Sequence, residues 1–299
     1  MNIFLYINNR KDKNFSVAEK AAVYLLTKGV QLYIESGMKN AVADSEILSQ
    51  AHFLSIDECI KVSDVAIVIG GDGTILKASK LLYGTDIPII GINLGKVGYM
   101  SELEKDEILH LEALFEKENI SVCTDERMML SCKVLRNGKQ VYSNICLNEV
   151  VIGKGDIARM VDIELSLDGE VIAEYQCDGI ITATPTGSTA YSMSAGGAII
   201  DPKIECISVV PLCPYLCINS SPIIFSKESV IEIRYKEQRG NSAYISVDGE
   251  EGFRLSDDDS IVISKAEYNT KLLRFKKTDF YKLLNTKLTN RISELADKN

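Results

Sequence analysis

Residues 64–79 read DVAIVIGGDGTILKAS, and no other stretch restricts the fold as strongly. Val65 to Ile69 places aliphatic side chains at five consecutive positions, so both faces of the strand they form must be covered. Strands of that kind belong to parallel sheets flanked by helices. The strand runs directly into Gly70, Gly71, Asp72, Gly73 and Thr74, and from about Thr74 to Leu82 the pattern is helical. In an open parallel sheet, ligands bind at the carboxyl ends of the strands. Glycines at such an end let the backbone approach a ligand closely, and a helix N-terminus favours an anion. The turn is not a Walker A loop, because its Gly-Lys-Ser/Thr ending is missing. It is not a dinucleotide fingerprint either, because Leu76 stands where the third glycine belongs. On the residues alone, a ligand cradle and a tight turn in which Asp72 or Thr74 caps the helix are equally good readings.

The first hundred residues repeat this alternation. Asn2 to Ile7, Gln31 to Glu35 and Ile87 to Gly91 read as strands, and Ile56 to Val62 reads as a helix. Ser16 to Lys28 reads as another helix, opened by a Ser16–Glu19 capping box. After about residue 120 the pattern changes. Asn137-Gly138, Asp168-Gly169 and Asp248-Gly249 each sit between alternating segments, as two-residue hairpin turns require. One short helix, near Ser188 to Ala195, is capped by Ser188 and ended by Gly196-Gly197. The expected architecture is an α/β domain with an open, mostly parallel sheet over 1–100, followed by an all-β, antiparallel domain over 101–269. The segment 270–299 carries an amphipathic helix that packs back on the first domain, with Thr278 as N-cap and Phe280, Leu283, Leu284 and Leu288 apolar.

Charge narrows the function classes. A net charge of −9 gives no footprint for a nucleic-acid backbone or an anionic membrane surface. No apolar run is long enough to span a bilayer, and MNIFLYINNRK lacks the layout of a secretory signal. The eight cysteines form no CxxC pair, so reduced, mostly buried thiols in a cytoplasmic protein are expected, with no zinc site. Both histidines, His52 and His110, fall in segments of helical character and read as solvated or packed helix residues, which disfavours a Ser-His-Asp relay and points to a carboxylate as the general base. A phosphate-bearing ligand must then be held by backbone dipoles, a few placed cations or a metal ion.

A second constellation decides between the two readings of the glycine turn. Cys177 to Pro202 reads CDGIITATPTGSTAYSMSAGGAIIDP, with a hydroxyl-rich helix so short that it stabilises little by itself. Tyr191 and Ser194 lie three apart and share a face suited to a flat ring and a sugar. GGDGT, then Asn148-Glu149 in ICLNEVVIG, then Asp178 and TPTGSTAYS, together with GINLGKVGYM after the sheet strand, resembles the NAD kinase family over nearly the whole chain. The GGDGT turn alone is shared with lipid kinases and phosphofructokinases of the same superfamily.

The resemblance implies transfer of the γ-phosphoryl group of ATP to the 2′-hydroxyl of the adenosine ribose of NAD. It implies Asp72, with Gly73, near that hydroxyl, and Asn148, Thr189, Ala190 and Ser194 at the adenosine end. It places Glu149, Asp178 and Tyr191 toward the nicotinamide riboside, with Ser192, Met193 and Gln176 among the contacts and Arg159 as a phosphate partner. Gly70, Gly71, Thr74 and Lys77 are the candidates for the donor phosphates. A divalent cation, Mg²⁺, is expected to offset repulsion between two anionic substrates on an acidic protein. A dimer or tetramer built through the β-rich domain is also implied. The chain departs from the family pattern at Tyr215, Ser221, Glu250 and Gln176. Two rivals remain, a lipid kinase and a catalytically silent NAD(H)-binding regulator. The first leaves TPTGSTAYS unexplained, and the second would tolerate loss of Asp72.

Overall fold

The computed structural model describes residues 1–95, 98–116, 124–156, 159–215, 220–236, 242–276, 280–286 and 289. Its contacts divide the chain into one unit of 1–126 with 270–299 and a second of 127–269. Residues 101–126, which the sequence reading assigns to the second domain, lie in the first unit.

The first unit holds strands β1 (Asn2–Ile7), β2 (Gln31–Glu35), β3 (His52–Leu54), β4 (Val65–Gly70), β5 (Ile89–Asn93), β6 (Leu103–Glu104) and β7 (Thr124–Arg127). The order across the sheet is β3-β2-β1-β4-β5, continued by the late strand Thr270–Leu273 and then β7, with β6 beside β5. Pairings β2–β3, β1–β2, β1–β4, β4–β5 and β5–β6 are all parallel. Every residue of β4 and β5 is buried, as the doubly apolar VAIVI run requires. Each aliphatic side chain there stabilises by about 1.5–3 kcal/mol relative to exposure. Helix α1 (Ser16–Thr27) buries Val17, Ala18, Ala21, Ala22 and Leu25, α2 (Ile56–Val62) buries Cys59, and α3 (Asp72–Leu81) buries Ile75 and Ala78.

Several local expectations change. Ser16 and Glu19 do not form a capping box. Asp12 takes the first amides of α1 instead, accepting from Val17 N at 3.1 Å and Ala18 N at 2.9 Å. Asn14 and Phe15 adopt left-handed φ angles just before the helix. A charged acceptor outcompetes a serine hydroxyl for exposed helix amides. A capping box does open α2, where Ser55 and Glu58 satisfy each other's amides. His52 lies on strand β3, not in a helix, stacked on Tyr33 and bonded to Gln31. Leu283 is half-buried and Leu284 buried in helix 280–286, whereas Thr278 and Leu288 lie outside the described residues.

The second unit is antiparallel. Its strands are β8 (Leu130–Arg136), β9 (Lys139–Cys146), β10 (Glu149–Lys154), β11 (Val161–Leu167), β12 (Glu170–Cys177), β13 (Gly179–Ala183), β14 (Cys206–Leu212), β15 (Ile223–Ser226), β16 (Ile231–Lys236), β17 (Ala243–Val247), β18 (Phe253–Arg254) and β19 (Ser260–Lys265). They form two sheets, ordered β15-β14-β13-β10-β17-β18 and β12-β11-β16-β19-β8-β9. The two inner faces share one core that includes Cys132, Val134, Ile152, Ile163, Ile180, Ile233, Ile245 and Ile261. In all three pairs, Asn137-Gly138, Asp168-Gly169 and Asp248-Gly249, both residues have positive φ. That is the type I′ geometry for which Asn-Gly and Asp-Gly are suited. The first two join their strands directly, whereas Asp248-Gly249 makes a tight turn within the 248–252 connection from β17 to β18 and not the expected two-residue hairpin.

Candidate active site

The glycine turn forms one candidate cluster, within the first unit. Helix α3 starts at Asp72, two residues before the sequence pattern suggests, because Gly71 O accepts the amides of Thr74 and Ile75. Asp72 is half-buried at the first helical position, and both its oxygens are engaged. Oδ2 accepts Tyr99 N at 2.8 Å, and Oδ1 accepts Met100 N at 3.2 Å. The peptide that supplies those amides is itself anchored. Arg274 Nη1 donates to Met100 O at 3.0 Å and Ser101 O at 3.2 Å, and its Nε reaches Asp125 at 3.3 Å. Glu102, whose side chain is almost fully buried, accepts Phe275 N and Lys276 N, each at 2.8 Å. Gly91 allows this loop to lie against the sheet, since a Cβ there would stand 2.9 Å from Ser101 Cα. The candidate carboxylate is therefore fixed through a chain of bonds ending in the C-terminal segment. No motif in the sequence links Arg274 to Asp72.

Thr74 is buried. Its hydroxyl accepts Asn8 Nδ2 at 2.9 Å, which ties the turn to the loop after β1. Lys77 is exposed on α3. Five residues round a helix is roughly 140° from Asp72, so the two side chains leave on different faces. Lys96 and Val97 of GINLGKVGYM lie outside the described residues.

A second candidate cluster, within the second unit, forms where TPTGSTAYS meets Asn148-Glu149. Thr184 N donates to Asn148 O at 2.9 Å, and Thr184 Oγ1 donates to Leu147 O at 2.6 Å. Gly187 sits directly on this strand entry, where a Cβ would lie 2.1 Å from Asn148 O and 2.8 Å from Asn148 Cα. From the opposite side Asp248 accepts Leu147 N, Asn148 N and Glu149 N at 3.0, 2.9 and 3.2 Å. What reads in sequence as a plain Asp-Gly turn is thus also the clamp on the Asn-Glu pair. The expected two-turn helix is a 3₁₀ turn, Gly187–Thr189, followed after Ala190 by the single-turn helix α4 (Tyr191–Ser194). Ser188 does not cap it. Its buried hydroxyl donates to Pro185 O and accepts Ile200 N, tying the turn to the returning chain. Gly196, at φ +86°, ends α4. Tyr191 and Ser194 are exposed, Thr189, Ala190 and Met193 half-buried, and Ser192 fully buried.

Glu149 is the electrostatically unusual group. Burial, and then the Asp248 charge, push its carboxyl up to about 7, opposed by a hydrogen bond from the Tyr191 amide. Its Oε2 is buried with no hydrogen-bond partner among the described residues. The folded protein thus holds this proton above the ordinary value of 4.5, and folding favours the protonated form. That stabilising contribution is full below the ordinary value and is lost as pH rises through about 7. The melting temperature is expected to fall relative to that of Glu149→Gln between about pH 5 and pH 8, measured by calorimetry across that window. Parallel pH profiles for the two proteins would remove the assignment.

Three expected contacts lie elsewhere. Glu149 pairs with Ala183 across β10 and β13, whereas Asp178 precedes Gly179 at the far end of the same pair. Five residues of strand separate them, roughly 17 Å. Asp178 is held by Lys154 Nζ at 2.6 Å. Gln176 donates to Asp162 at 3.3 Å, and Arg159 is exposed and acts electrostatically on Asp156. Of the positions that depart from the family pattern, Tyr215 N donates to Gln176 O at 2.7 Å, and Glu250 accepts Asn144 Nδ2 at 3.1 Å.

Comparison with known proteins matches these elements as a set. The ATP-NAD kinase N-terminal domain matches residues 3–119 and the ATP-NAD kinase C-terminal domain residues 147–275. An NAD kinase of Natranaerobius thermophilus is 39% identical over 89% of this chain and 87% of its own. An NAD kinase of Caldanaerobacter subterraneus is 35% identical over 95% of this chain and 97% of its own. Among solved structures, an Archaeoglobus fulgidus NAD kinase in complex with ATP aligns with TM-score 0.71 and 25% identity, covering 97% of this chain and 99% of that one. Yeast NADH kinase complexed with NADH aligns with TM-score 0.86, covering 97% and 87%, and at 22% identity it speaks for the fold alone. Two family domains and relatives matched over nearly their whole length establish that this chain belongs to the ATP-NAD kinase family.

Proposed function

We propose that Asp72 receives the proton of the adenosine 2′-hydroxyl as ATP phosphorylates NAD to NADP. The observation that carries this reading is the Asp72 carboxylate, held at the carboxyl end of a parallel sheet by two backbone amides. The 2′-oxygen attacks the γ-phosphorus and the new O–P bond forms. The bond from that phosphorus to the β–γ bridging oxygen breaks, ADP departs, and the hydroxyl proton passes to the carboxylate. A carboxylate is too weak a base to ionise a sugar hydroxyl beforehand, so Asp72 orients the hydroxyl and takes the proton late. Phosphoryl transfer has a loose transition state in which positioning and charge neutralisation do most of the work. The glycine turn with the N-terminus of α3 receives the donor phosphates.

Magnesium enters as part of the substrate, Mg·ATP. Among the described residues no cluster of three histidine, cysteine, aspartate or glutamate side chains is suited to hold a metal, and the carboxylate at the turn is Asp72, each oxygen of which accepts one amide. That donor set fits an ion carried on triphosphate oxygens and water rather than in a protein cage.

Asn148, Thr189, Ala190 and Ser194 bind the adenosine end, and Glu149 and Tyr191 the ribose on the nicotinamide side. The distance between Glu149 and Asp178 along β10 and β13 supports an assembly in which a second copy supplies Asp178, Gln176 and Arg159 to the nicotinamide end. Exposed apolar side chains on the edge strands, Val171 and Ile172 on β12 and Ile224 on β15, support a dimer or tetramer through this unit. No helix among the described residues is long and apolar enough to cross a membrane.

The test is a coupled assay. Purified protein with Mg·ATP and NAD should reduce a dye through an NADP-specific dehydrogenase, and diacylglycerol or sphingosine offered in place of NAD should not be phosphorylated. Phosphorylated lipid without NADP would reverse the reading.

A further inference from the structure

The strand order changes direction between β1 and β4. From β1 the chain winds outward to β2 and β3, and from β4 it winds the other way to β5. In open parallel sheets the crevice at such a switch point, outside the carboxyl ends of the strands, is where ligands bind. Two loops border this crevice. One is the glycine turn after β4. The other follows β1 and reads Asn8-Asn9-Arg10-Lys11-Asp12.

The second loop is held in place. Asn8 N donates to Ile69 O at 2.9 Å, and Asn8 Nδ2 reaches Thr74 Oγ1 at 2.9 Å. Lys11 N and Asp12 N both donate to Asn8 O, at 3.0 and 2.9 Å, and Asp12 is fixed by its amide bonds to α1. Lys11 is therefore pinned from both sides, and its ammonium lies over the glycine turn. A Cβ added to Gly71 would stand 2.6 Å from Lys11 Nζ, and one added to Gly95, after β5, would stand 3.8 Å from it. The loops at the ends of three adjacent parallel strands thus converge on one cation, and two of them present glycine to it. Among the described residues this ammonium makes no ion pair, although the chain carries a net charge of −9. A Cβ on Gly73 would meet nothing within 4 Å, so the space beside the turn is open.

We propose that Lys11 binds the terminal phosphates of the donor nucleotide and that Lys77 does not. The inference rests on the proposed placement of ATP at the glycine turn and adds the residue that supplies its positive charge. A lysine suits the task as a compact point charge with three donors. Lys77 leaves α3 on another face from Asp72 and is an exposed helix lysine.

The experiment compares Lys11→Met, Lys11→Arg, Lys77→Met and Gly71→Ala in steady-state kinetics. Inorganic tripolyphosphate serves as a competitive probe of the phosphate site. Lys11→Met is expected to raise the KM for ATP and the inhibition constant of tripolyphosphate by about 10- to 100-fold, the loss of one charge-assisted contact. The KM for NAD and the melting temperature should stay at parental values, because the side chain is exposed. Lys11→Arg should recover most of the loss, and Lys77→Met should behave as parent. Gly71 has extended backbone angles that alanine accepts, so Gly71→Ala should fold and displace the ammonium, reproducing the ATP defect. If Lys11→Met left ATP and tripolyphosphate unchanged while Gly71→Ala weakened both, the lysine assignment would fall and the donor site would stand. If neither variant moved either constant, the placement of the donor at this turn would fall as well.

Discussion

Asp72→Asn is expected to lower the turnover of NADP formation by about 10²- to 10⁴-fold, the range ascribed to a positioned proton acceptor. Asparagine keeps the shape of aspartate and has no proton-accepting carboxylate. It also turns one of two acceptors into a donor. Whichever amide then faces the new NH₂, Tyr99 N or Met100 N, loses its partner. A small fall in melting temperature should accompany the loss of rate, reflecting one unsatisfied amide worth about 1–3 kcal/mol. NAD affinity should change little, since the proposed adenosine and ribose contacts come from residues 148–194. Titration calorimetry with NAD, alongside the coupled assay, separates the two effects. Turnover within tenfold of the parent would end the assignment of Asp72.

The second large effect is expected at Gly187, a residue with no chemistry of its own. A Cβ there would stand 2.1 Å from Asn148 O and 2.5 Å from Asn148 C, closer than any contact a side chain tolerates. The obstruction is backbone, and that backbone cannot retreat. Asp248 holds three consecutive amides from one side, and Thr184 holds the carbonyls of Leu147 and Asn148 from the other. In Gly187→Ala the 185–189 turn must lift instead, carrying Thr189, Tyr191 and Ser194 with it. Overpacking of this kind costs about 1–3 kcal/mol, and a displacement of about 1 Å in a binding group can cost 10²-fold. The expected result is a rise of about 10- to 100-fold in the KM for NAD together with a lower melting temperature. The KM for ATP should be spared. An unchanged KM for NAD would show that the turn is not a binding element.

Much of this is readable one residue at a time. VAIVI demands cover on both faces wherever it sits, so a parallel layer follows from its composition. Three Asn-Gly or Asp-Gly pairs supply positive φ angles at low cost, so three tight turns follow from local chemistry, two of which close two-residue hairpins. Local reasoning fails where partners compete. Ser16 and Glu19 have the spacing of a capping box, yet Asp12, a stronger acceptor brought in by a left-handed turn, takes the amides. Ser188 has the right type for a cap and instead ties two loops together.

The order of residue types along the chain was enough to place a carboxylate where a buried strand meets a helix, and to mark a short hydroxyl-rich segment near Ser188 to Ala195. Those are statements about short segments, governed by backbone sterics and side-chain period. Only the tertiary structure revealed that Arg274 and Glu102 anchor the peptide holding Asp72, that Asp248 clamps Asn148 and Glu149, and that Lys11 overhangs the glycine turn. It also separated Asp178 from Glu149 along one strand pair. Each of these facts joins residues tens to hundreds of positions apart, and such pairings are set by strand order and packing, which no short segment encodes.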